Sequence, residues 1–171
     1  MSETLVAMLL LSIVLVAVTA GITAVRNSYH KIVQKADAMT LLSTIAVSME
    51  ADLSSAQTTP APDLDDTDDS IGNPLYHFKS GIRGYSICFD TIEDKVCAVA
   101  DNPGEADIII PVTTAAGHTN ELCSELTRIR FVSTDSVKYF EYTITIKTRS
   151  NGSEEGKEIL SQDYVTRVEN W

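Results

Sequence analysis

Residues 5–25 read LVAMLLLSIVLVAVTAGITAV without one ionisable side chain. A helix rises about 1.5 Å per residue, so the stretch covers roughly 30 Å, the thickness of a bilayer's hydrocarbon core. Lipid offers backbone N–H and C=O groups no partner, and a lone apolar segment there has one good solution, the α-helix. The chain is therefore expected to work tethered to a membrane or packed in an assembly that hides this surface. A secretory signal peptide fits poorly. That pattern needs basic residues ahead of a core of about 7 to 15 apolar residues, whereas no Lys or Arg precedes Leu5.

Beyond Val25 the apolar pattern narrows without stopping. Val25, Tyr29, Ile32, Val33, Ala36, Met39, Leu42, Ala46, Met49 and Leu53 recur at helical spacing, with Arg26, Asn27, Lys31, Gln34, Lys35 and Asp37 between them. No Pro interrupts before Pro60, and Gly21 is the one Gly within the pattern. These features predict a single helix of about 50 residues. Residues 1–25 would be its transmembrane or filament-core half and residues 26–56 its amphipathic half, with Met39 and Met49 filling core space.

Residues 57–74, QTTPAPDLDDTDDSIGNP, carry Pro60, Pro62, Gly72 and Pro74 together with an acidic run that cannot bury itself. The expectation is an exposed linker. Clustered carboxylates from Asp63, Asp65, Asp66, Asp68 and Asp69 are weak candidates for Ca²⁺. The EF-hand template fails on them, because Asp68 falls where Gly is required and Pro74 where the bidentate Glu belongs.

Residues 75–171 read as strands of an antiparallel β domain. YSICFD (85–90) and KVCAVA (95–100) flank Thr91-Ile92-Glu93-Asp94 and predict a hairpin. Setting Cys88 opposite Cys97 also sets Asp90 opposite Lys95 and Phe89 opposite Val96. Directly opposed Cα atoms lie about 4.5 to 5.5 Å apart, within disulfide reach. In an oxidising exterior Cys88–Cys97 is the expected bond, the alternatives being a bond from Cys123 to one of them or three reduced thiols. IIIPVT (108–113) predicts a strand that Pro111 restricts to an edge or a bulge. In residues 137–147, Phe140, Tyr142, Ile144 and Ile146 alternate with Glu141, Thr143, Thr145 and Lys147. Ile129 and Phe131 before that run, and Leu160, Tyr164 and Val168 after it, complete a meander with one apolar face. Asn151-Gly152 supplies a turn, which accounts for the chance glycosylation sequon Asn151-Gly152-Ser153. The fold class predicted is α+β, the amphipathic half-helix from Tyr29 to Leu53 covering an antiparallel sheet.

The net charge of −11 and pI near 4.5 repel nucleic-acid phosphate, so no direct nucleic-acid contact is expected. Catalysis has no motif to rest on. His30, His77 and His118 are far apart in sequence, HExxH and CxxC are absent, and no Gly-rich loop follows a strand and opens a helix. Neither an enzyme nor a cofactor is expected.

Ser2-Glu3-Thr4-Leu5-Val6-Ala7-Met8-Leu9-Leu10, running into so long a helix and then an antiparallel sheet, resembles the N-terminal segment of type IV pilins and pseudopilins, the minor pilin-like proteins above all. The resemblance covers about the first 25 residues. It implies a filament core of bundled apolar half-helices, with Glu3 meeting the N-terminal amine of a neighbouring subunit and Leu5, Val6, Met8 and Leu9 packing around it. An ammonium partner offsets the cost of burying a carboxylate among apolar side chains and sets axial register. Left to itself, Glu3 is also a good helix N-terminal acid, favoured there by the macrodipole. The implied partners are other pilin-like subunits, membrane lipid before assembly, and a prepilin peptidase where a leader exists upstream.

Two departures from the family pattern bear on topology. Glu3 stands nearer the N-terminus than the pattern has it, and the family's basic leader ending in Gly is not in the sequence. A start inside a longer reading frame, a trimmed chain and a degenerate copy are the three explanations. Arg26, Lys31 and Lys35 follow the apolar segment, which by the positive-inside rule alone would hold the C-terminal domain in the cytoplasm. Basic residues upstream would restore the expected arrangement, a single-pass protein with its β domain outside the cytoplasm. The function expected is a structural subunit of a type IV pilus-like or type II secretion-like filament at the cell surface. The alternatives are a single-pass anchor whose β domain binds a partner without polymerising and, more weakly, a competence pseudopilin, against which the net charge argues.

Overall fold

The computed structural model describes residues 2–58, 61–68, 73–100, 108–113, 122–134, 137–149 and 156–169. Helix α1 is continuous over Ser2–Ser54, 53 residues, as the unbroken apolar periodicity predicts. The chain divides into two compact units, Met1–Asp37 and Ala38–Trp171. The first is the N-terminal part of α1. The second contains the rest of the helix and all the strands.

Within the second unit, Ala38, Leu41, Leu42, Ile45, Ala46, Met49 and Leu53 form the buried stripe of α1. The predicted face began earlier, at Tyr29, yet Tyr29 and Ile32 are 64% and 68% exposed. Met39 departs from its predicted role as core filler. It is 49% exposed, whereas Met49 is fully buried. Each helical residue turns the side chain by about 100°, so Met39 lies one step round from Ala38 and off the stripe.

Among the described residues eight strands follow, all antiparallel: β1 (Ala61–Asp68), β2 (Asn73–Lys79), β3 (Ser86–Ile92), β4 (Lys95–Ala100), β5 (Ile108–Pro111), β6 (Leu122–Ser133), β7 (Lys138–Thr148) and β8 (Glu158–Arg167). They form two sheets, ordered β1-β2-β3-β4-β5 and β6-β7-β8. The fold is α+β, with the helix packed on antiparallel sheets, as expected. The core joins α1 to both sheets through Phe78, Ile87, Phe89, Phe140, Ile144 and Ile146. Phe78 bridges the sheets, its ring centroid 6.1 Å from that of Phe89 and 5.5 Å from that of Phe140. Tyr142, buried on β7, donates to the Ala46 carbonyl of the helix at 3.5 Å.

Part of the predicted linker 57–74 is corrected. Ala61–Asp68 is a strand paired with β2, its register irregular between Asp63 and Thr67. An edge strand needs pairing on one side only, which is where Pro62 and an acidic sequence can be accommodated. The strand at 108–113 does take an edge, β5, as Pro111 requires. Asp69, His118 and the Asn151-Gly152 turn lie outside the described residues.

The β3–β4 hairpin forms in a register two residues from the predicted one. Cys88 faces Val99, Phe89 faces Ala98, Asp90 faces Cys97, and Ile92 faces Lys95. Glu93 and Asp94 alone make the turn, with φ of 51° and 61°. Positive φ at both positions gives the primed turn whose twist matches the flanking strands, and it adds a residue pair that the four-residue loop would forgo. The Asp94 carbonyl is held by the Ser124 N–H at 2.9 Å. Cys88 and Cys97 are thus diagonal rather than opposed, and such neighbours sit about 7 to 8 Å apart, beyond usual disulfide reach. The expected Cys88–Cys97 bond is absent: none of Cys88, Cys97 and Cys123 is in a disulfide, and all three are buried.

Candidate assembly surface

In the first unit the side chains described are exposed almost throughout, and no part of the most apolar stretch is buried. The helix is long and apolar enough to cross a membrane. Three of its hydroxyls are turned inward onto the backbone: Ser12 donates to the Leu9 carbonyl at 2.7 Å, Thr19 to the Leu15 carbonyl at 2.8 Å and Thr23 to the Thr19 carbonyl at 2.9 Å. Such bonds let Ser and Thr face hydrocarbon without an unpaired donor.

The five residues singled out for assembly do not share one face. Glu3 lies in the first turn, where the macrodipole favours an acid, and lines a shallow groove with Val6, Ala7 and Leu10. Leu5, Met8 and Leu9 are exposed elsewhere round the helix. The reason is geometric, since positions 3, 6, 7 and 10 are helical neighbours while 5 and 9 stand on the other side. Ala7 and Leu10, not among the residues named from the sequence, share that groove with Glu3. A segment apolar all round carries no periodic signal to select them.

A second feature escaped the sequence reading. Asp52 is buried on the apolar stripe of α1 and accepts hydrogen bonds from Ser80 Oγ at 2.8 Å and from Arg83 Nε at 2.9 and 3.1 Å. Burial works against the Arg83 charge, but Asp52 and Tyr85 outweigh it and hold the guanidinium above its usual range. The same turn closes the helix end. Gly81 N–H donates to the Ser55 carbonyl at 2.9 Å, and Glu169 N–H to the Ser54 carbonyl at 2.9 Å, so carbonyls at the helix end find partners. A Cβ on Gly81 would come within 2.6 Å of the Ser55 oxygen. One signal was legible: an acid three residues after Met49, on a face otherwise apolar, calls for a buried partner.

Among the described residues no group of three or more His, Cys, Asp or Glu is arranged to hold a metal ion. His30 is exposed, its ring 6.4 Å from that of Tyr29, and His77 lies on β2. Burial pushes the thiols of Cys97 and Cys123 above their ordinary range, the direction opposite to that of a reactive thiolate. Compared with known proteins, the chain matches no family model, no curated protein and no solved structure.

Proposed function

We propose that this protein is a structural subunit of a filament of the type IV pilus or type II secretion kind, stored in the membrane by the first part of α1 and assembled by moving that segment into a bundle of its own kind. The observation that supports this is the division of labour along one helix. Residues 5–25 offer an apolar surface on all sides, and the part from Ala38 onward is built into the compact unit that holds the strands. Lipid and a bundle of like helices both satisfy such a surface, so transfer between them costs little hydrophobic free energy. Glu3 is the exception. In a bundle its carboxylate needs a cation, and the α-amine of a neighbour is the partner that fixes register. The β domain would then form the exterior.

Expression from the native locus tests this directly. Peptidase-dependent processing of the precursor and recovery of the chain in sheared surface filaments are the expected results, with Glu3→Leu lowering recovery at least tenfold while membrane levels hold. A chain that remains unprocessed and monomeric in the membrane would overturn the proposal. The cationic residues Arg26, Lys31 and Lys35 favour a second reading, a single-pass anchor whose β domain meets a partner on the cytoplasmic side. Protease accessibility of the β domain in intact cells separates the two.

A further inference from the structure

Four strand edges bound the two sheets, and three of them are blunted or occupied. β5 is four residues long and ends in Pro111. β1 carries Pro62 and an irregular register. β6 is tied to the β3–β4 hairpin: Ser124 N–H donates to the Asp94 carbonyl, Leu126 N–H to Thr91 Oγ1 at 2.8 Å, and Ser124 Oγ accepts from Val96 N–H at 3.1 Å. β8 is different. It runs ten residues without Pro, has no strand beyond it among the described residues, and leaves Val165 67% exposed. Long unprotected edges of this kind are templates for another strand.

The direction of its backbone groups can be read from its end. Val168 N–H donates to the Lys138 carbonyl of β7 at 3.0 Å. Backbone groups alternate along a strand, so residues 160, 162, 164 and 166 face β7, while residues 161, 163, 165 and 167 face away. Two hydrogen-bonded rows also cross the outer face of the sheet and stop at this edge. One runs from Thr127 to Thr145 (2.8 Å) and on to Ser161 (2.9 Å), ending in a hydroxyl. The other runs from Thr143 to Asp163 (2.6 Å), ending in a carboxylate.

We propose that β8 pairs antiparallel with β8 of a second copy of this chain, the two-fold axis passing between the two Gln162 residues, to give a continuous six-stranded sheet. That register sets Ser161 opposite Asp163 of the second copy, twice, so each hydroxyl row meets a carboxylate row. It also sets Leu160 opposite Tyr164, both only half-buried in the single chain. A shift of two residues one way would put Asp163 opposite Asp163 at the centre of the pairing, a like-charge pair that destabilises a sheet, whereas the proposed register confines its like-charge approach, Lys157 to Arg167, to the exposed ends. Gln162 turns its backbone towards β7, so the central pair is a non-hydrogen-bonded one, with Cα atoms about 4.5 Å apart.

The test uses the full chain in nanodiscs. Gln162→Cys under mild oxidation is expected to give a disulfide-linked dimer, because the central pair lies within disulfide range. Ile82→Cys, on an exposed turn, should give none above wild type. Adding Ser161→Asp to Gln162→Cys should cut the dimer yield at least fivefold by facing Asp163, while Ser161→Lys in its place should keep or raise it. Absence of the Gln162 dimer, equal cross-linking at Ile82, or equal loss with Asp and Lys at 161 would each overturn the proposal. Circular dichroism of every variant guards against misfolding.

Discussion

Asp52 is a buried carboxylate on the apolar stripe of α1. A buried carboxylate is stable only with its partners in place, and here Arg83 and Ser80 supply them. Arg83→Ala is expected to cost about 2 to 3 kcal/mol of stability in urea unfolding, below the full cost of breaking a buried pair because the Arg83 side chain keeps 25% of its exposure. Replacing both Asp52 and Arg83 by Leu should recover most of that loss, since no charge is then stranded. The raised phenols and thiols make a separate pH prediction. Burial lifts Tyr142, Tyr164, Cys97 and Cys123 above their ordinary values of 10.0 and 9.0. Above about pH 8 the folded state therefore binds more protons than the unfolded one, and stability must fall with rising pH. It should be flat near pH 7 in denaturant titrations and decline from about pH 8 upward, as the unfolded chain's thiols and then its phenols begin to ionise. Tyr142→Phe should make that decline shallower.

At the scale of the element, helix α1 carries two different surfaces on one backbone. Among the described residues the buried apolar stripe of α1 starts at Ala38. Met49→Ala should cost about 2 to 4 kcal/mol, by lost burial and the cavity left behind. Met39→Ala should stay within about 0.5 kcal/mol, as expected of an exposed position. Thermal or urea unfolding of the two variants side by side checks the assignment of the stripe. The hairpin of β3 and β4 shows how sequence can specify faces and still leave a register open. Sliding the pair by two residues keeps Ile87, Phe89, Val96 and Ala98 on the core side. Composition and alternation are then identical in both registers, and the choice falls to the Glu93-Asp94 turn and to its bond with Ser124.

For the whole molecule, the exposed apolar part of α1 and the folded unit should be separable in their consequences. Leu9→Asp with Leu15→Asp places two carboxylates where hydrocarbon is expected, each costing about 2.5 to 3.5 kcal/mol at the centre of a spanning helix. The variant should move from the membrane pellet to the soluble fraction in fractionation. Its β-sheet circular dichroism should remain that of the parent, because both residues are exposed and lie outside the folded unit. Retention in the pellet would mean that some other surface holds the chain there.

Much of this protein is determined locally and was therefore legible in the linear chain. A residue 5–25 stretch without charge has to be helical wherever water is excluded, and the alternation in β7 has to put Phe140, Tyr142, Ile144 and Ile146 on one side, because both follow from backbone geometry and burial alone. Other features depend on which distant residues meet. The pairing of Ala61–Asp68 with β2, the division of the strands into two sheets, the partner of Asp52, and the point along α1 where packing begins are decided by long-range contacts. Such contacts leave no periodic trace, since a strand edge, a helix face or a buried acid reads the same in sequence whichever neighbour it finds.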